Sequence, residues 1–466
     1  MPARQLGQGQ EVPFYDFAPD LTLTTPGIIL DASNAVPTVK GYKARNSPQQ
    51  IAPALPLTGG GATETPLGAY VALYSNGQTS ILAGTATRLF RLVGGAWTAI
   101  GSGYTATWPW VFTQFADDVL ATSAGNPNIQ VAVGPTGTYS NLAGSPPTNA
   151  ATIISVAGFA AAYKTNEWFN SAAGSDSSWA PNVTTQAANG FLYDYPGNIV
   201  AAAALNRTQI VWKQNSMYLL TYVGGTQVWS SQILSAETGT FGQGCVCPMP
   251  TAIAFLGTDD FYICQGAAPS RIPNNMKEWF FITADPNYLA NVSSWYDPIS
   301  ATCYWHFVSL APPYPGMCDR YVGWNSRSGR WVPGYLDTNL VVWNTQPPQQ
   351  QSGLYFDVNG ALQAWTGAPT TMSLTTGFQG DQDNLTQLQK VRVSYTTGFE
   401  PTQELCIPMH VYRLGDTPTI EGPAVLANDG WHNLRATDRY HQVQISTVGP
   451  CEMMTLAYEG RLAGVR

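Results

Sequence analysis

The sequence predicts an all-β protein: a β-propeller of about seven blade-like units, with six to eight compatible with the spacing, an extended N-terminal segment and a C-terminal β-sandwich-like domain. Three observations lead to this prediction. Charged residues make up only 11% of the 466 residues, whereas 44% are apolar, and ordinary globular chains are about 25% charged. Helical periodicity is nearly absent outside residues 274–281. Turn-plus-aromatic endings recur along the chain at a regular spacing.

Short strands joined by turns are the local pattern of most of the chain. Runs of β-branched and aromatic residues end at Gly, Asn, Asp or Pro, as in residues 89–93 and 97–100, which are split by Gly94-Gly95. This is the pattern of hairpins. The richest apolar run, residues 153–163, contains Gly158 and is shorter than the roughly 18 residues that a membrane span needs, so we expect no membrane span.

The repeated endings predict the blades. Successive endings are separated by 42, 40, 50, 43, 59 and 34 residues, close to the roughly 40–50 residues of a four-stranded propeller blade. A small twisted sheet cannot bury both of its faces alone, so blades stack in a closed ring. The residues that close the seven units are Trp97, Tyr139, Trp179, Trp229, Ile272, Trp331 and Trp365.

Changes in the pattern divide the chain into three regions. Residues 1–65 are punctuated by proline and end in a glycine-rich stretch, which predicts an extended segment and a linker. Residues 66–369 carry the blade repeat. Residues 370–466 contain alternating strands that no longer follow its spacing, so we assign them to a separate β-sandwich-like domain.

The charge pattern argues against nucleic-acid binding. The formal net charge is −8, and the chain contains six lysines without a basic cluster. Proteins that grip nucleic acid neutralise its phosphates with clustered Lys and Arg. DNA could pass such a protein without adhering to it.

No pattern of metal ligands is present. His306 lies in an apolar strand-like run and is expected to be a buried strand histidine. The remaining histidines could converge in the C-terminal domain, but they lack a ligand spacing. We therefore predict neither a metal nor another cofactor. These remaining histidines are His410, His432 and His441.

The seven cysteines are expected to be free thiols. Their number is odd, and no apolar leader with a cleavage site precedes residues 5–13, so we expect synthesis and assembly in a reducing cytoplasm. Cys245 and Cys247 form a C-x-C pair without further ligands nearby, which is typical of small buried thiols.

Two pairs of carboxylates are the candidate catalytic residues. Asp117-Asp118 and Asp259-Asp260 lie at hairpin tips, where Asp commonly accepts backbone hydrogen bonds. A glycosidase could use carboxylates from different blades. No nucleophile elbow, phosphate-binding loop or dinucleotide fingerprint is present, and the sialidase Asp-box, WD and kelch signatures are missing. We predict that the protein is not an enzyme and has no catalytic residue.

Segments along most of the chain carry a family resemblance. They are Thr-Pro-Gly-Ile-Ile-Leu-Asp at 25–31, Leu-Ala-Gly-Thr-Ala-Thr-Arg-Leu at 82–89, Trp-Val-Phe-Thr-Gln-Phe-Ala-Asp at 110–117, Lys-Gln-Asn-Ser-Met-Tyr at 213–218, Gly-Thr-Asp-Asp-Phe-Tyr at 257–262, Trp-Tyr-Asp-Pro at 295–298, Tyr-Val-Gly-Trp-Asn at 321–325 and Gly-Arg-Trp at 329–331. A weaker likeness lies at 439–441 and 460–463. Together they resemble the tail nozzle, or tail tubular B-like, proteins of tailed bacteriophages.

The resemblance implies a structural virion protein. A hexameric ring of such subunits would form the distal tail channel for DNA ejection, with a propeller on the outside of each subunit. The ring would contact an adaptor or portal-proximal ring and tail fibres or closing proteins. DNA would pass without specific binding, and assembly would take place in the host cytoplasm.

Two other functions stay open. A propeller that binds glycans for host receptor attachment could use some of the fifteen tryptophans to stack on sugars. A propeller hydrolase that acts on surface polysaccharide would require two convergent carboxylates.

Overall fold

The structure is a computed structural model that describes residues 10–56, 63–344 and 353–465. Within these ranges the chain forms strands almost throughout, together with one α-helix, α1 (Lys277–Thr283), and 3₁₀ helices at Gln243–Cys245 and Pro286–Asn291. No helix in these ranges is long and apolar enough to cross a membrane. The all-β prediction is confirmed.

Five short strands precede the first blade. They are β1 (Gln10–Pro13), β2 (Ile29–Ser33), β3 (Ala35–Pro37), β4 (Tyr42–Ala44) and β5 (Gln49–Ala52).

The next strands build a seven-bladed propeller. Blade one consists of the antiparallel strands β6 (Gly68–Leu73), β7 (Thr79–Gly84), β8 (Arg88–Val93) and β9 (Ala96–Ser102). Blade two consists of β10 (Val111–Phe115), β11 (Asp118–Thr122), β12 (Gln130–Val133) and β13 (Tyr139–Asn141). Blade three consists of β14 (Thr152–Val156), β15 (Phe159–Lys164), β16 (Glu167–Asn170) and β17 (Ala188–Phe191). Blades four and five are made of β18 (Ile199–Leu205), β19 (Thr208–Lys213), β20 (Met217–Gly224) and β21 (Val228–Ser235), and of β22 (Val246–Pro248), β23 (Ile253–Leu256), β24 (Phe261–Cys264) and β25 (Ser270–Arg271). Blade six contains β26 (Ser293–Asp297), β27 (Thr302–Phe307), β28 (Cys318–Asn325) and the first half of β29 (Trp331–Asn344).

The seventh blade closes the ring with a strand from the N-terminal segment. The second half of β29 leaves blade six and pairs with β30 (Leu354–Asp357), which pairs with β31 (Leu362–Ala364). The outermost strand of this blade is β5, with Ala52 opposite Leu362. The end of β29 also runs parallel to β6 of blade one. Closure of this kind removes the free edges that an open array of sheets would leave.

The C-terminal domain is a sandwich of two sheets. Its strands are β32 (Met372–Thr376), β33 (Gln379–Gly380), β34 (Asn384–Tyr395), β35 (Gln403–Val411), β36 (Thr419–Ile420), β37 (Val425–Leu426), β38 (His432–Asp438), β39 (Tyr440–Val448) and β40 (Glu452–Val465). One sheet has the order β3-β4-β40-β34-β38-β37, with β1 also paired to β40, and the other has the order β2-β32-β39-β35-β36, with β33 also paired to β39.

The N-terminal segment is therefore shared between the two domains. We expected residues 1–65 to form an extended N-terminal segment. Of its strands, β1 to β4 lie in the sandwich sheets and β5 lies in blade seven. The expected glycine-rich linker spans residues 56–66, and residues 57–62 of it lie outside the described ranges. The strands β1, β2, β4 and β5 pair with sheet edges that are distant along the chain, which local pattern does not reveal, whereas β3 pairs with the adjacent β4.

The blade repeat predicted from the sequence coincides with the observed blades, except that the predicted end of the third unit does not lie in or beside a strand. Five of the seven closing residues lie in, or directly beside, the outermost strand of a blade, and Trp365 directly follows β31, the strand next to β5 in blade seven. Trp179 instead lies in the loop between β16 and β17. The predicted Gly94-Gly95 turn joins β8 to β9, and its positive φ angles of 57° and 82° are the backbone conformation that favours glycine in a two-residue hairpin.

Alternating side chains of the inner strands bury both faces of each blade. In β19, Val211 packs with blade three, whereas its neighbour Trp212 packs towards blade five. The Trp212 ring meets Phe255 edge to face, with ring centroids 5.3 Å apart. Since successive strand residues point to opposite faces, one apolar run supplies two inter-blade cores.

Candidate functional site

One cavity of the protein lies on the axis of the propeller. It has a volume of about 550 Å³ and lies where the innermost strands of the blades begin. This volume falls in the range of roughly 300–1,000 Å³ that is usual for small-molecule sites. Among the described residues that line it there is no Asp, Glu, Lys or Arg.

Neutral amides and aromatic rings supply the chemistry of this axial cavity. Gln243 accepts hydrogen bonds from Thr152 Oγ1 (2.8 Å) and the Ala202 N–H (3.0 Å), and its Nε2 donates to the Ala202 carbonyl (3.0 Å), so it ties neighbouring blades together. Trp108 stands at the cavity with 54% of its surface exposed. Of the tryptophan side chains that the structure describes, it is the only one more than half exposed. The cavity can therefore hold a neutral ligand, since it offers no charge to bind or repel an ion.

The first carboxylate pair ties two blades together. Asp117, at the β10–β11 turn, accepts hydrogen bonds from the Ser75 N–H (2.7 Å) and Oγ (2.5 Å) of blade one. These bonds lower the pKa of the Asp117 carboxyl. Asp118 accepts from the Gly134 N–H (3.1 Å). Both are the backbone-capping roles that Asp takes in turns.

The second carboxylate pair lies three blades further along the ring. Asp259 accepts from Tyr262 (2.7 Å) and pairs with Arg271 (2.7 Å), and Asp260 accepts from the Phe261 N–H and Asn274 Nδ2, both at 2.8 Å. The two pairs belong to blades two and five, which are not neighbours, and none of the four lines the axial cavity. The structure does not bring these carboxylates together as a hydrolase would require.

Of the three C-terminal histidines, His410 and His441 lie opposite each other in β35 and β39, with ring centroids 6.5 Å apart. His306 is buried in β27 and accepts from Trp295 Nε1 (3.3 Å), and burial holds its pKa well below the usual range. His410 lies between Asp438 (2.9 Å) and Glu421 (3.1 Å). His432 and His441 contact Glu404 (2.7 Å) and the Thr386 carbonyl (3.0 Å), respectively. Over the described ranges no group of three or more His, Cys, Asp or Glu side chains could hold a metal ion.

All seven cysteines are free and buried. Burial raises the pKa of the Cys245 thiol to about 12. The thiolate is the reactive form of cysteine, so burial makes this side chain inert.

A cluster of aromatic rings around Arg45 is the main feature that sequence reasoning missed. The guanidinium carbon lies 4.5 Å from the Tyr304 ring centroid, 4.6 Å from that of Tyr321 and 5.1 Å from that of Trp365. These residues are separated by up to 320 positions, and no local motif links them. The second cavity, of about 270 Å³, lies beside this cluster where the propeller meets the sandwich.

No protein-family model and no curated protein matches the chain. Among solved structures it is similar to the Neurospora crassa Pan2 WD40 domain (8% identity, 70% of this chain and 96% of that chain, TM-score 0.44). It is also similar to the RRP9 WD40 repeats (7% identity, 68% of this chain and 92% of that chain, TM-score 0.43). A third similar structure is virginiamycin B lyase from Staphylococcus aureus (9% identity, 68% of this chain and 97% of that chain, TM-score 0.43). The chain has the β-propeller fold, and similarity at this level carries no information about its function.

Proposed function

We propose that the chain is a structural subunit of a bacteriophage tail, a nozzle or hub ring that forms the distal channel for DNA ejection. The observation that carries this proposal is the distribution of the segments that resemble tail nozzle proteins. Segment 25–31 reaches into the sandwich strand β2, and segments 82–89, 110–117, 213–218 and 257–262 lie in four different blades. The resemblance therefore concerns both domains rather than one repeated blade motif.

The strand connections suit a protein that must withstand mechanical force. The N-terminal segment enters the sandwich with β1 to β4 and then completes blade seven with β5, so the two domains share one continuous piece of chain. Val332 of blade six packs into the sandwich core. Domains joined in this way resist separation because several strands would have to unpair at once.

The DNA path would lie between subunits. A cavity of about 550 Å³ on the propeller axis has the volume of a small-molecule site and is too small for a duplex, so the channel of a nozzle would be enclosed by a ring of copies. The net charge of −8 per chain would disfavour adhesion of phosphates to that channel, since counterion release needs clustered cations.

The oligomeric state tests the proposal. Size-exclusion chromatography with light scattering, and negative-stain images of the full chain, should give a six-fold ring, and antibodies against the chain should label one end of the virion tail. A chain that stays monomeric over the whole accessible concentration range and is missing from purified virions would contradict it.

The second candidate is a glycan-binding propeller for receptor attachment, and Trp108 favours it. This exposed indole stands at a cavity with neutral amides and no charged lining residue, and an indole face can stack on the apolar face of a neutral sugar. A glycan array separates the two candidates. Saturable binding by the full chain that is lost in Trp108→Ala would support receptor attachment, whereas ring formation without glycan binding would support the nozzle.

A further inference from the structure

We infer that the axial cavity is a binding site for an uncharged, largely apolar organic molecule that carries one or two hydrogen-bonding groups. The site rests on a ring of apolar side chains from all seven blades and on the free amides of Asn198 and Asn291, which line the same cavity. The inference goes beyond the proposed function and depends neither on ring formation nor on glycan binding.

Every blade contributes an apolar side chain to the wall of the axial cavity. In blade one this residue is Ala69 of β6, and in most of the other blades it lies at, or directly before, the start of the innermost strand. Because the innermost strands surround the propeller axis, these side chains enclose the cavity from all sides. For blades two to seven they are Val111, Ala151, Ile199, Val246, Val292 and Val341.

The polar side chains between these apolar residues are already bound to the protein. Gln243 uses its amide on neighbouring strands, as described above. Ser293 Oγ donates to the Val341 carbonyl and accepts from the Val341 N–H, both at 3.3 Å. Ser294 Oγ donates to the Val246 carbonyl (3.0 Å). This part of the wall therefore offers a ligand apolar contact and few hydrogen bonds.

Two exposed amides of the lining are free to bind a ligand. The side chains of Asn198 and Asn291 form no hydrogen bond to another described residue, and only their backbone groups are bound. Each amide can both donate and accept, which satisfies one or two polar groups of a ligand. A monosaccharide carries several hydroxyls, and those that faced the apolar wall would lose their hydration without a partner. The wall thus favours an apolar ligand over a sugar.

The charge and the size of the cavity narrow the class of ligand further. The described lining residues include no Asp, Glu, Lys or Arg, so an ion would enter without a counter-charge, which is unfavourable. The volume of about 550 Å³ is more than three times the roughly 150 Å³ of an apolar cavity that binds benzene. The axial cavity therefore has room for two aromatic ring systems.

Fluorescence titration of the full chain with N-phenyl-1-naphthylamine tests the inference. This dye is uncharged, has two aromatic ring systems and one N–H group, and emits more strongly in an apolar environment. We expect saturable binding at one site per chain, with a dissociation constant of about 10 µM or below. The dye 1-anilinonaphthalene-8-sulfonate has the same rings and an added sulfonate, and it should bind at least about tenfold more weakly.

Variants that fill the cavity locate the site. Ala151→Phe and Ala290→Phe each place a ring among the lining residues and should weaken binding of the uncharged dye by about tenfold or more. Asn198→Ala together with Asn291→Ala should weaken it by about threefold or more. Ala99→Phe, at an exposed position of β9 outside the lining, is the matched control and should bind as the wild type does.

Four outcomes would overturn the inference. The first is a folded wild-type chain without saturable binding up to about 50 µM dye, several times the expected dissociation constant. The second is equal binding by the wild type and the cavity variants, which would place the dye elsewhere. The third is equal affinity for the sulfonated dye. The fourth is displacement of the uncharged dye by methyl α-D-glucopyranoside at about 10 mM, which would mean a sugar site. If neither filled variant folds, the sulfonate comparison and the displacement assay on the wild-type chain carry the test.

Discussion

The carboxylate of Asp16 accepts a 2.5 Å hydrogen bond from the backbone N–H of Trp331 and so joins the N-terminal segment to the first residue of β29. Asp16 also accepts from the Phe17 N–H (2.9 Å). Next to it, the Tyr42 hydroxyl donates to the Trp331 carbonyl (3.0 Å). Both backbone groups of Trp331 are thus bound by side chains that belong to the N-terminal segment.

Asp16 predicts a specific pH dependence of stability. Burial raises the pKa of its carboxyl from 3.8 to about 7, although the backbone hydrogen bonds and Arg330 act in the opposite direction. Between about pH 4 and 7 the folded protein keeps a proton that the unfolded chain has released, so this group lowers the free energy of unfolding as the pH rises. This decrease in the free energy of unfolding is complete above about pH 7 and amounts to at most about 4 kcal/mol.

Asp16→Asn should remove this dependence. The amide oxygen can accept the same two backbone hydrogen bonds, so the variant should be about 1–4 kcal/mol more stable than the wild type at about pH 8 and similar near pH 4. Urea unfolding at a series of pH values measures the difference. An unchanged slope between pH 4 and 7 in Asp16→Asn would show that another group causes the dependence.

Two tryptophans of opposite burial test the inter-blade packing. Trp212 is fully buried against Phe255, so Trp212→Ala should lower the free energy of unfolding by about 3–5 kcal/mol. Trp108→Ala removes the same side chain from an exposed position and should change it by about 0.5 kcal/mol or less. Chemical denaturation of both variants checks the contrast, and equal losses would contradict the blade assignment of these residues.

The edge of the sandwich is the predicted contact surface of the proposed ring. Ile420 of β36 and Val425 of β37 are 68% and 75% exposed, and each strand ends its sheet. Unpaired edges with apolar side chains favour association. Ile420→Lys with Val425→Lys should therefore shift the ring to smaller species in light scattering. Val39→Lys, at a 67% exposed position elsewhere, is the matched control, and rings that persist in the double variant would exclude this edge as the contact.

The carboxylate pairs should be structural. Asp260 is buried and holds the Phe261 N–H and Asn274, so Asp260→Ala should lower the free energy of unfolding by about 1–3 kcal/mol. We expect the wild-type chain to release no reducing ends from host surface polysaccharide. Release of reducing ends that is abolished by Asp117→Asn or Asp259→Asn, in variants that still fold, would instead support a hydrolase.

Local features could be predicted from the sequence because strand and turn signals act over a few residues. The turn at Gly94-Gly95, the buried strand position of His306 and the number of blades all depend on short-range pattern or on its repetition. Trp179 shows the limit of this reasoning. Its spacing is that of a residue that closes a blade, but it lies in the loop between β16 and β17. An aromatic residue after a turn occurs both in strands and in loops that pack against strands, so this signal alone does not distinguish them.

The sequence by itself determined that the chain is all-β, is built from about seven repeated units, carries few charges and changes its pattern near residue 370. Only the tertiary structure decided that β5 completes blade seven, that β1 to β4 belong to the sandwich and that Arg45 lies among rings from Tyr304, Tyr321 and Trp365. The physical reason is distance along the chain. The partners of β1, β5 and Arg45 are about 260–450 residues away along the chain. Such pairings are chosen by which sheet edge or cavity is left open once the local units have formed.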